Sequence, residues 1–254
     1  DQINGDWYAR WSAPMVVRVD TAPFDDPRVV QALKLVLDRD KIQELVLPTG
    51  VVGYDHWIDS SDASYCPDTD TDGRPQDIEA AKALLAEAGY ADGLDLELAL
   101  PDGDFRTDLA QVYKEQAALA GINIELNILP SSAFWDQWQS WPFSVTGWNG
   151  RLPATANIGL AMRCEAAWTE SFYCNEEFDE LLNQVEATAD VDERQDLYCQ
   201  IQQMMQDEGP YLIPLWVAQY GASQSDVQLP QDNEYHGGTW SRAEYLWHYM
   251  WLAE

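Results

Sequence analysis

The sequence predicts an α/β fold, because two strands of alternating polarity flank an amphipathic helix. Apolar and polar residues alternate over 94–100 (LDLELAL) and again over 122–128 (INIELNI), which is the two-residue period of a strand. Between them, residues 107–120 carry apolar side chains at helical spacing, and Gly121 follows as a stop signal. This order predicts a βαβ unit with parallel strands and a right-handed crossover, within a mixed sheet.

Two helices are predicted before this unit, in the segment APFDDPRVVQALKLVLDRDKI at 22–42. Asp26 can cap the first helix, and Pro27 suits its first position because the missing amide hydrogen of proline costs nothing there. Asp40 can cap a second, short helix. The apolar residues that dock these helices fall on one face of each: Val29, Leu33, Val36 and Leu37 in the first, and Ile42, Leu45 and Val46 in the second.

The rest of the chain divides into short elements and one long loop. Residues 49–75 show no periodicity and form a loop of a length that is usually functional or mobile in compact domains. A helix begins at Asp77 and ends at Gly89, since glycine readily adopts the left-handed conformation of a helix end. Further patterns predict strands at 15–19, 143–148 and 211–216, helices at about 132–138, 176–187 and 192–207, and an aromatic, irregular tail to residue 254.

The composition excludes several classes of protein. The chain carries 14 basic and 44 acidic residues, a net charge of −30, so nucleic acid and anionic membrane surfaces are poor partners. Its 46% hydrophobic content, with 12 Trp and 12 Tyr, excludes a disordered chain. The acidity fits saline surroundings, where salt screens the repulsion between carboxylates, and fits an ordinary acidic secreted protein equally well.

Targeting signals are sparse. No segment is apolar over the roughly 18 residues that a membrane span requires, so we expect a soluble chain. No signal peptide is visible at Asp1. We therefore expect that a targeting segment has been removed or that the chain begins inside a longer protein.

The four cysteines indicate an oxidising compartment. Cys164 and Cys174 are ten residues apart, a spacing that suits a loop-closing disulfide better than a metal-binding pair. Cys66 lies in the long loop and Cys199 in a predicted helix. The sequence leaves open whether these two are free or paired.

Four blocks of sequence resemble one known family. The segment at 22–42 is similar to the "PF-D-x-R-V-x-x-A-L … D-R-x-x-I" segment of family five extracellular solute-binding proteins, which capture peptides, nickel or sugars for ABC importers. DIEAAKALLAEAGYADGLDLEL (77–98), EEFDELLNQVEATADVDERQDLYCQIQQMM (176–205) and GPYLIPLW (209–216) resemble further blocks of that family, in the same order. The resemblance covers residues 23 to 216.

The resemblance implies one lobe of a periplasmic-binding-protein fold of type II. Family members are commonly about twice this length, more than one domain, so the chain looks like a C-terminal half. We expect 1–22 to supply strands of the first lobe or hinge, 23–216 to form the second α/β lobe, and 217–254 to return toward the first lobe. The implied partners are a small solute, a membrane permease and the missing N-terminal lobe. The implied location is the periplasm or the cell exterior, and a lipid anchor on the full-length protein stays open.

The resemblance places ligand contacts in the loop SVTGWNGRLPATAN at 144–157. Peptide-binding relatives carry an Asp shortly after the Gly-Trp pair, where it meets the ammonium group of the peptide, and Arg151 stands there in this chain. A guanidinium accepts no hydrogen bonds and favours carboxylate or phosphate, so we expect Arg151 to recognise an anionic group and the protein not to be a standard dipeptide binder. Pairing of Arg151 with one of the many carboxylates of the chain is the alternative.

Aromatic residues are the other candidates for ligand contact. Trp148 can stack on a ligand, and Asn149 can donate or accept a hydrogen bond beside it. Tyr54 and Trp57, in the long loop, can close over a ligand. Packing in the core is the alternative for any single Trp. Because aromatic faces stack on sugar rings, peptide-like, anionic and sugar-like solutes all stay open.

The long loop also carries a calcium-loop pattern. The D-x-D-x-D-G-x5-E signature is formed by Asp68, Asp70, Asp72, Gly73 and Glu79. Pro75 is unusual at its position, and Glu79 belongs to the helix that begins at Asp77. We expect a partial Ca²⁺ site on the three aspartates, with a solvated acidic turn as the alternative and no cofactor required.

An enzyme is the rival class. The three histidines (His56, His236 and His248) are far apart, and neither a G-x-S-x-G nor a G-x-x-x-x-G-K-[ST] motif occurs. A Trp-rich secreted glycoside hydrolase with paired carboxylates is the alternative that we retain. A structural surface protein held by Ca²⁺ would repeat the acidic loop, which occurs once. We expect a binding protein, not an enzyme.

Overall fold

The computed structural model describes residues 8–70 and 74–219 and two short strands beyond them. Its strands are β1 Tyr8–Ser12, β2 Met15–Val17, β3 Val51–Val52, β4 Leu94–Pro101, β5 Ile122–Leu129, β6 Phe143–Val145, β7 Trp148–Asn149, β8 Tyr211–Leu212, β9 Leu215–Gln219, β10 Val227–Gln228 and β11 Trp251–Leu252. Its helices are α1 Pro27–Leu35, α2 Arg39–Val46, α3 Ile78–Glu87, α4 Arg106–Ala118, α5 Ser131–Trp135, α6 Thr155–Met162, α7 Glu176–Ala187 and α8 Val191–Glu208.

The predicted βαβ unit is confirmed. Strands β4 and β5 pair in parallel, from Leu94 opposite Ile122 to Pro101 opposite Leu129, and α4 connects them. The buried face of α4 includes Leu109 and Tyr113, which pack in the same core as the apolar face of β4. The period-two and helical patterns of the sequence therefore identify the centre of the fold correctly.

This unit belongs to a five-stranded mixed sheet in the order β5-β4-β6-β2-β8. Strand β6 is parallel to β4, while β2 is antiparallel to both β6 and β8. Helices α1 and α4 contribute to the core on this sheet, where Val29, Leu33 and Phe143 are buried. The α/β class and the mixed sheet agree with the prediction.

A second sheet, β3-β9-β1-β7, is antiparallel throughout. Three stretches of chain pass from this sheet to the first one: β1 to β2, β6 to β7, and β8 to β9. The single strands predicted at 143–148 and 211–216 are therefore wrong, because each one breaks between the two sheets. At the breaks, the Thr146 amide donates to the Pro14 carbonyl at 3.0 Å and the Ile213 amide donates to Asp55 Oδ1 at 2.9 Å.

The first two helices form as predicted, with one change of cap. Asp26 caps α1 and Pro27 begins it. The predicted cap of α2, Asp40, is wrong: the carboxylate of Asp38 accepts the Lys41 amide at 3.0 Å, and Asp40 is exposed in the first turn. The side chain of Gln116 holds the backbone of Asp38 at both its amide and its carbonyl, at 3.0 and 3.1 Å, and α2 starts two residues earlier than predicted.

The predicted loops contain unpredicted structure. The stretch 49–75 includes β3 and a 3₁₀ turn at Pro67–Asp70, and the loop at 144–157 leads into α6. The predicted disulfide Cys164–Cys174 forms, and Cys66 and Cys199, which the sequence left open, form a second one. Within the described residues, no helix has the length and apolar character needed to cross a membrane.

The division at residues 22 and 216 stays a prediction. Strand β2, in the predicted first segment, belongs to the five-stranded sheet of the second segment. Of the predicted return segment 217–254, only the end of β9 and the strands β10 and β11 lie within the described residues, and those two strands pair with each other.

Replacing the observed cap tests the assignment of α2. Asp38→Ala should lower the free energy of unfolding by about 1 kcal/mol, because the Lys41 amide loses its acceptor. Asp40→Ala, two residues away, is the matched control. It should lower the free energy of unfolding by less, because it removes only a charge near the helix N-terminus. Urea denaturation of both variants measures the difference, and an equal or larger loss for Asp40→Ala would contradict the assignment.

Candidate functional site

An aromatic cleft lies where the chain passes from β6 to β7. Its volume is about 280 Å³, and its walls come from α5 and the turn after it, from the β6–β7 connection and from the loop closed by Cys164–Cys174. The residues that line it are Trp135, Trp138, Gly147, Trp148, Asn149, Arg151 and Trp168. Three of these, Trp148, Asn149 and Arg151, are ligand-binding candidates of the sequence.

Trp148 forms the inner wall of the cleft. It lies on β7 opposite Ser12 of β1, and it is 4% exposed. Its ring centroid lies 6.0 Å from that of Trp168, which lines the cleft, and 5.2 Å from that of Trp57, which lies behind it. The indole nitrogen donates a hydrogen bond to Glu170 Oε1. Trp148 is thus a core residue that also forms part of the cleft wall, and its contact with a ligand stays a prediction.

Glu170 is a buried acid directly behind this wall. Its Oε1 also accepts the Thr146 hydroxyl at 3.3 Å, and Oε2 has no hydrogen-bond partner in the described part of the chain. Burial raises the pKa of Glu170 from 4.5 to about 8, although the hydrogen bonds from Trp148 and Thr146 act to lower it. The carboxyl group is therefore mainly neutral at pH 7.

Arg151 reaches over the aromatic faces of the cleft. Its Nη1 donates to Asn157 Oδ1 at 2.8 Å and to the Asn149 carbonyl at 3.2 Å. The guanidinium carbon lies 5.0 Å from the ring centroid of Trp168 and 6.0 Å from that of Trp148. No ion pair of Arg151 occurs among the described residues, so the alternative that it pairs with a carboxylate of the chain is not seen there.

A second cation stands near the cleft but is neutralised. Arg106 pairs with Asp104 through two nitrogens and lies between the rings of Trp11 and Trp135, 5.8 and 5.7 Å from their centroids. Gly147 fits against this group, because a Cβ there would lie 3.2 Å from Arg106 Nη1 and 3.1 Å from Trp11. Among the described residues of the cleft lining, Arg151 is therefore the cation without an ion-pair partner.

Neither of the two candidates of the long loop, Tyr54 and Trp57, lines the cleft. Trp57 is buried and packs on Tyr211, with ring centroids 4.8 Å apart, as well as on Trp148. Tyr54 lines a smaller cavity with His56, Tyr65 and Trp216. Contact of either residue with a ligand stays a prediction.

Two acids of the calcium-loop pattern, Asp70 and Glu79, have partners within the protein. Asp70 faces inward, where its carboxylate accepts hydrogen bonds from Tyr65 at 2.6 Å and from Gln206, and pairs with His56 at 3.2 Å. Glu79 points to solvent on α3 and pairs with Lys82. Asp72 and Gly73 lie outside the described residues, and Asp68 lies within the 3₁₀ turn. Calcium binding by this loop stays a prediction.

Sequence reasoning missed four residues of this site. Trp135, Trp138 and Trp168 line the cleft, and Glu170 supports it. The first three could have been found from the local density of tryptophan, since five of the 12 Trp fall within 135–168. Nothing in the pattern TES around Glu170 distinguishes it from the many exposed acids.

Shortening Trp148 tests its role in the wall. Trp148→Phe should lower the free energy of unfolding by about 1–3 kcal/mol, because the buried Glu170 loses a donor. Trp168→Phe is the matched control: its side chain is 43% exposed, so its effect should stay within about 0.5 kcal/mol. Equal losses in denaturant unfolding would contradict the supporting role of the Trp148–Glu170 contact.

Comparisons with known proteins agree on one family. The family model described as "Bacterial extracellular solute-binding proteins, family 5 Middle" matches residues 9–170. The oligopeptide-binding protein AppA of Bacillus subtilis is 30% identical over 209 residues, which are 74% of this chain and 38% of that protein. The periplasmic oligopeptide-binding protein OppA of Salmonella typhimurium is 29% identical over 206 residues, 77% of this chain and 37% of that protein.

A solved structure shares the fold. The structure of AppA from Bacillus subtilis in complex with a nonapeptide superposes with a TM-score of 0.80 at 24% identity, covering 100% of this chain and 52% of that one. The chain thus spans about half of this structure and 37–38% of the two curated relatives. Since the family model covers more than half of the described sequence, the chain belongs to the family 5 bacterial extracellular solute-binding proteins.

Proposed function

We propose that this chain is the C-terminal portion of the solute-binding component of an ABC importer. In this proposal the complete protein captures a small solute between two lobes outside the cytoplasm and delivers it to a membrane permease. The short span on the curated relatives fits a portion of a longer protein, and two relatives named as oligopeptide-binding proteins support the solute-binding role. The protein would lie in the periplasm or outside the cell, with or without a lipid anchor.

The observation that carries the proposal is the aromatic cleft with Arg151 at its mouth. Four Trp side chains offer flat apolar faces, and Arg151 offers a positive charge that no described carboxylate neutralises. Such a site suits a solute that combines an anionic group with an apolar or ring-shaped part, such as a peptide carboxylate or an acidic sugar. The cleft lining in the described part of the chain includes no carboxylate for an ammonium group.

Capture requires no bond to be made or broken. In the proposed mechanism the solute binds first to this lobe, and its contacts with the other lobe shift a pre-existing equilibrium from open to closed. Closure excludes water from the guanidinium and the bound anion, which strengthens their attraction. This chain alone would then bind its solute more weakly than the complete protein.

The glycoside hydrolase alternative gains no support from the site. Such an enzyme needs two carboxyl groups facing the substrate across a cleft. Glu170 has the raised pKa of a general acid, but it lies behind Trp148, and the lining residues of the described cleft include no Asp or Glu. We therefore keep solute capture as the proposed function.

Replacing Arg151 tests the proposal in the full-length protein. Arg151→Gln should weaken binding of short peptides with a free C-terminal carboxylate by about 10- to 100-fold, because a charged hydrogen bond contributes about 1.5–3 kcal/mol. Binding of the same peptides as C-terminal amides should change little. Isothermal titration calorimetry with both peptide sets measures the difference.

The matched control is Arg163→Gln. Arg163 pairs with Glu186 at 2.8 Å between α6 and α7, so its loss changes the net charge equally without touching the cleft. Equal weakening by both variants, or unchanged affinity of Arg151→Gln, would contradict the role of Arg151. Native mass spectrometry of the wild-type protein should also find a co-purified anionic molecule.

A further inference from the structure

Glu170 differs in its partners from Asp55 and Asp70, two other buried acids of the described chain. Asp55 pairs with Arg39, and Asp70 meets His56 and two further donors. Glu170 is equally buried, at 1% exposure, but it meets only two neutral donors, both on one oxygen. A buried carboxyl without a cation is stable only as the neutral acid.

The position of Glu170 links it to two walls of the cleft. It lies two residues after Trp168, in the loop that the Cys164–Cys174 disulfide closes, and it bonds to the indole of Trp148. Trp148 and Trp168 are also the two rings that Arg151 faces. A displacement of Glu170 therefore moves the surfaces on which Arg151 rests.

The groups around Glu170 do not titrate in the neutral range. The phenol of Tyr211 lies close by, and burial raises its pKa well above its ordinary value. Thr146, Trp148 and Ser171 supply only neutral groups. The charged group of the cleft, Arg151, lies on the Trp148 ring.

We infer that Glu170 is a positioning residue for anion capture: as a neutral acid it holds Trp148 in the cleft wall, and as a carboxylate it opposes the bound anion. This rests on the proposed function of the cleft. A negative charge on Glu170, behind Trp148, repels the anionic solute across the protein interior, where charges are poorly screened. It also offsets part of the attraction between Arg151 and the solute. By linkage, a bound anion favours the neutral form of Glu170, so the solute is taken up together with a proton near the pKa of the group.

The free protein gives the first measurement. The folded-state pKa of Glu170, about 8, is raised above the ordinary value of 4.5. Its contribution to stability is therefore full below about pH 4.5 and is lost as the pH rises to about 8. The melting temperature of Glu170→Gln minus that of the wild type should rise over this range and then level off, and a constant difference would overturn the inference.

Binding gives the second measurement, with a short peptide bearing a free C-terminal carboxylate as the probe for the full-length protein. Wild-type affinity should fall by about tenfold from about pH 7 to about pH 9, while the affinity of Glu170→Gln stays level. Calorimetry in two buffers of different ionisation enthalpy should show proton uptake on binding near pH 8 in the wild type and none in Glu170→Gln. Equal pH profiles of the two proteins would overturn the coupling.

Glu186→Gln is the matched control, because Glu186 is an exposed partner of Arg163 and its loss changes the charge equally. It should keep the wild-type pH profile, and loss of the profile would overturn the inference. If Glu170→Gln fails to fold, the carboxyl-carbon NMR signal of Glu170 in glutamate-labelled wild type reports its titration directly, and a pKa near 4.5 would overturn the inference. Failure of the wild type to bind any probe would overturn the proposed function and the coupling with it. The melting-temperature and NMR measurements test only whether Glu170 is neutral in the folded protein.

Discussion

The buried carboxylate of Asp55 holds together the region on which the cleft depends. Its Oδ1 accepts the Ile213 amide at 2.9 Å, where the chain passes between the two sheets, and its Oδ2 pairs with Arg39 and lies 3.5 Å from Arg74. Removing one partner of a buried pair costs about 3–5 kcal/mol, because a charge is left uncompensated. Two residues further on, Trp57 packs behind Trp148, so this anchor also fixes the back of the cleft.

Under the proposed function, the charges of the molecule favour an anionic solute in the cleft. A chain with a net charge of −30 repels anions at long range, and salt screens this repulsion. Within the cleft, Arg151 rests on aromatic rings, Arg106 is neutralised by Asp104, and Glu170 is kept neutral by burial. In the described part of the cleft, the positive charge of Arg151 therefore acts inside a negative protein, and under the proposed closure its effect grows as water is excluded.

The sequence predicted those features that depend on neighbouring residues. The βαβ unit follows from periodicity, and α7 has the predicted ends, about 176–187, with a cap at Asn175 that the structure adds. The breaks in 143–148 and 211–216 could not be predicted, since the apolar pattern continues while the backbone turns to partners such as Pro14 and Asp55, far away in sequence. The resemblance placed ligand contacts in the loop 144–157, part of which lines the cleft, and contact with a ligand stays a prediction. The support by Glu170 depends on its burial, which the sequence around a single acidic residue in a loop does not reveal.

The disulfide between Cys66 and Cys199 makes the free energy of unfolding depend on the oxidation state of the chain. It joins residues 133 apart and ties the long loop to α8. Closing a loop of this length removes conformational freedom from the unfolded chain worth about 5 kcal/mol in the chain-entropy view. A chain in which Cys66 and Cys199 are reduced lacks this contribution and unfolds more readily. Reduction also releases the long loop from its covalent attachment to α8.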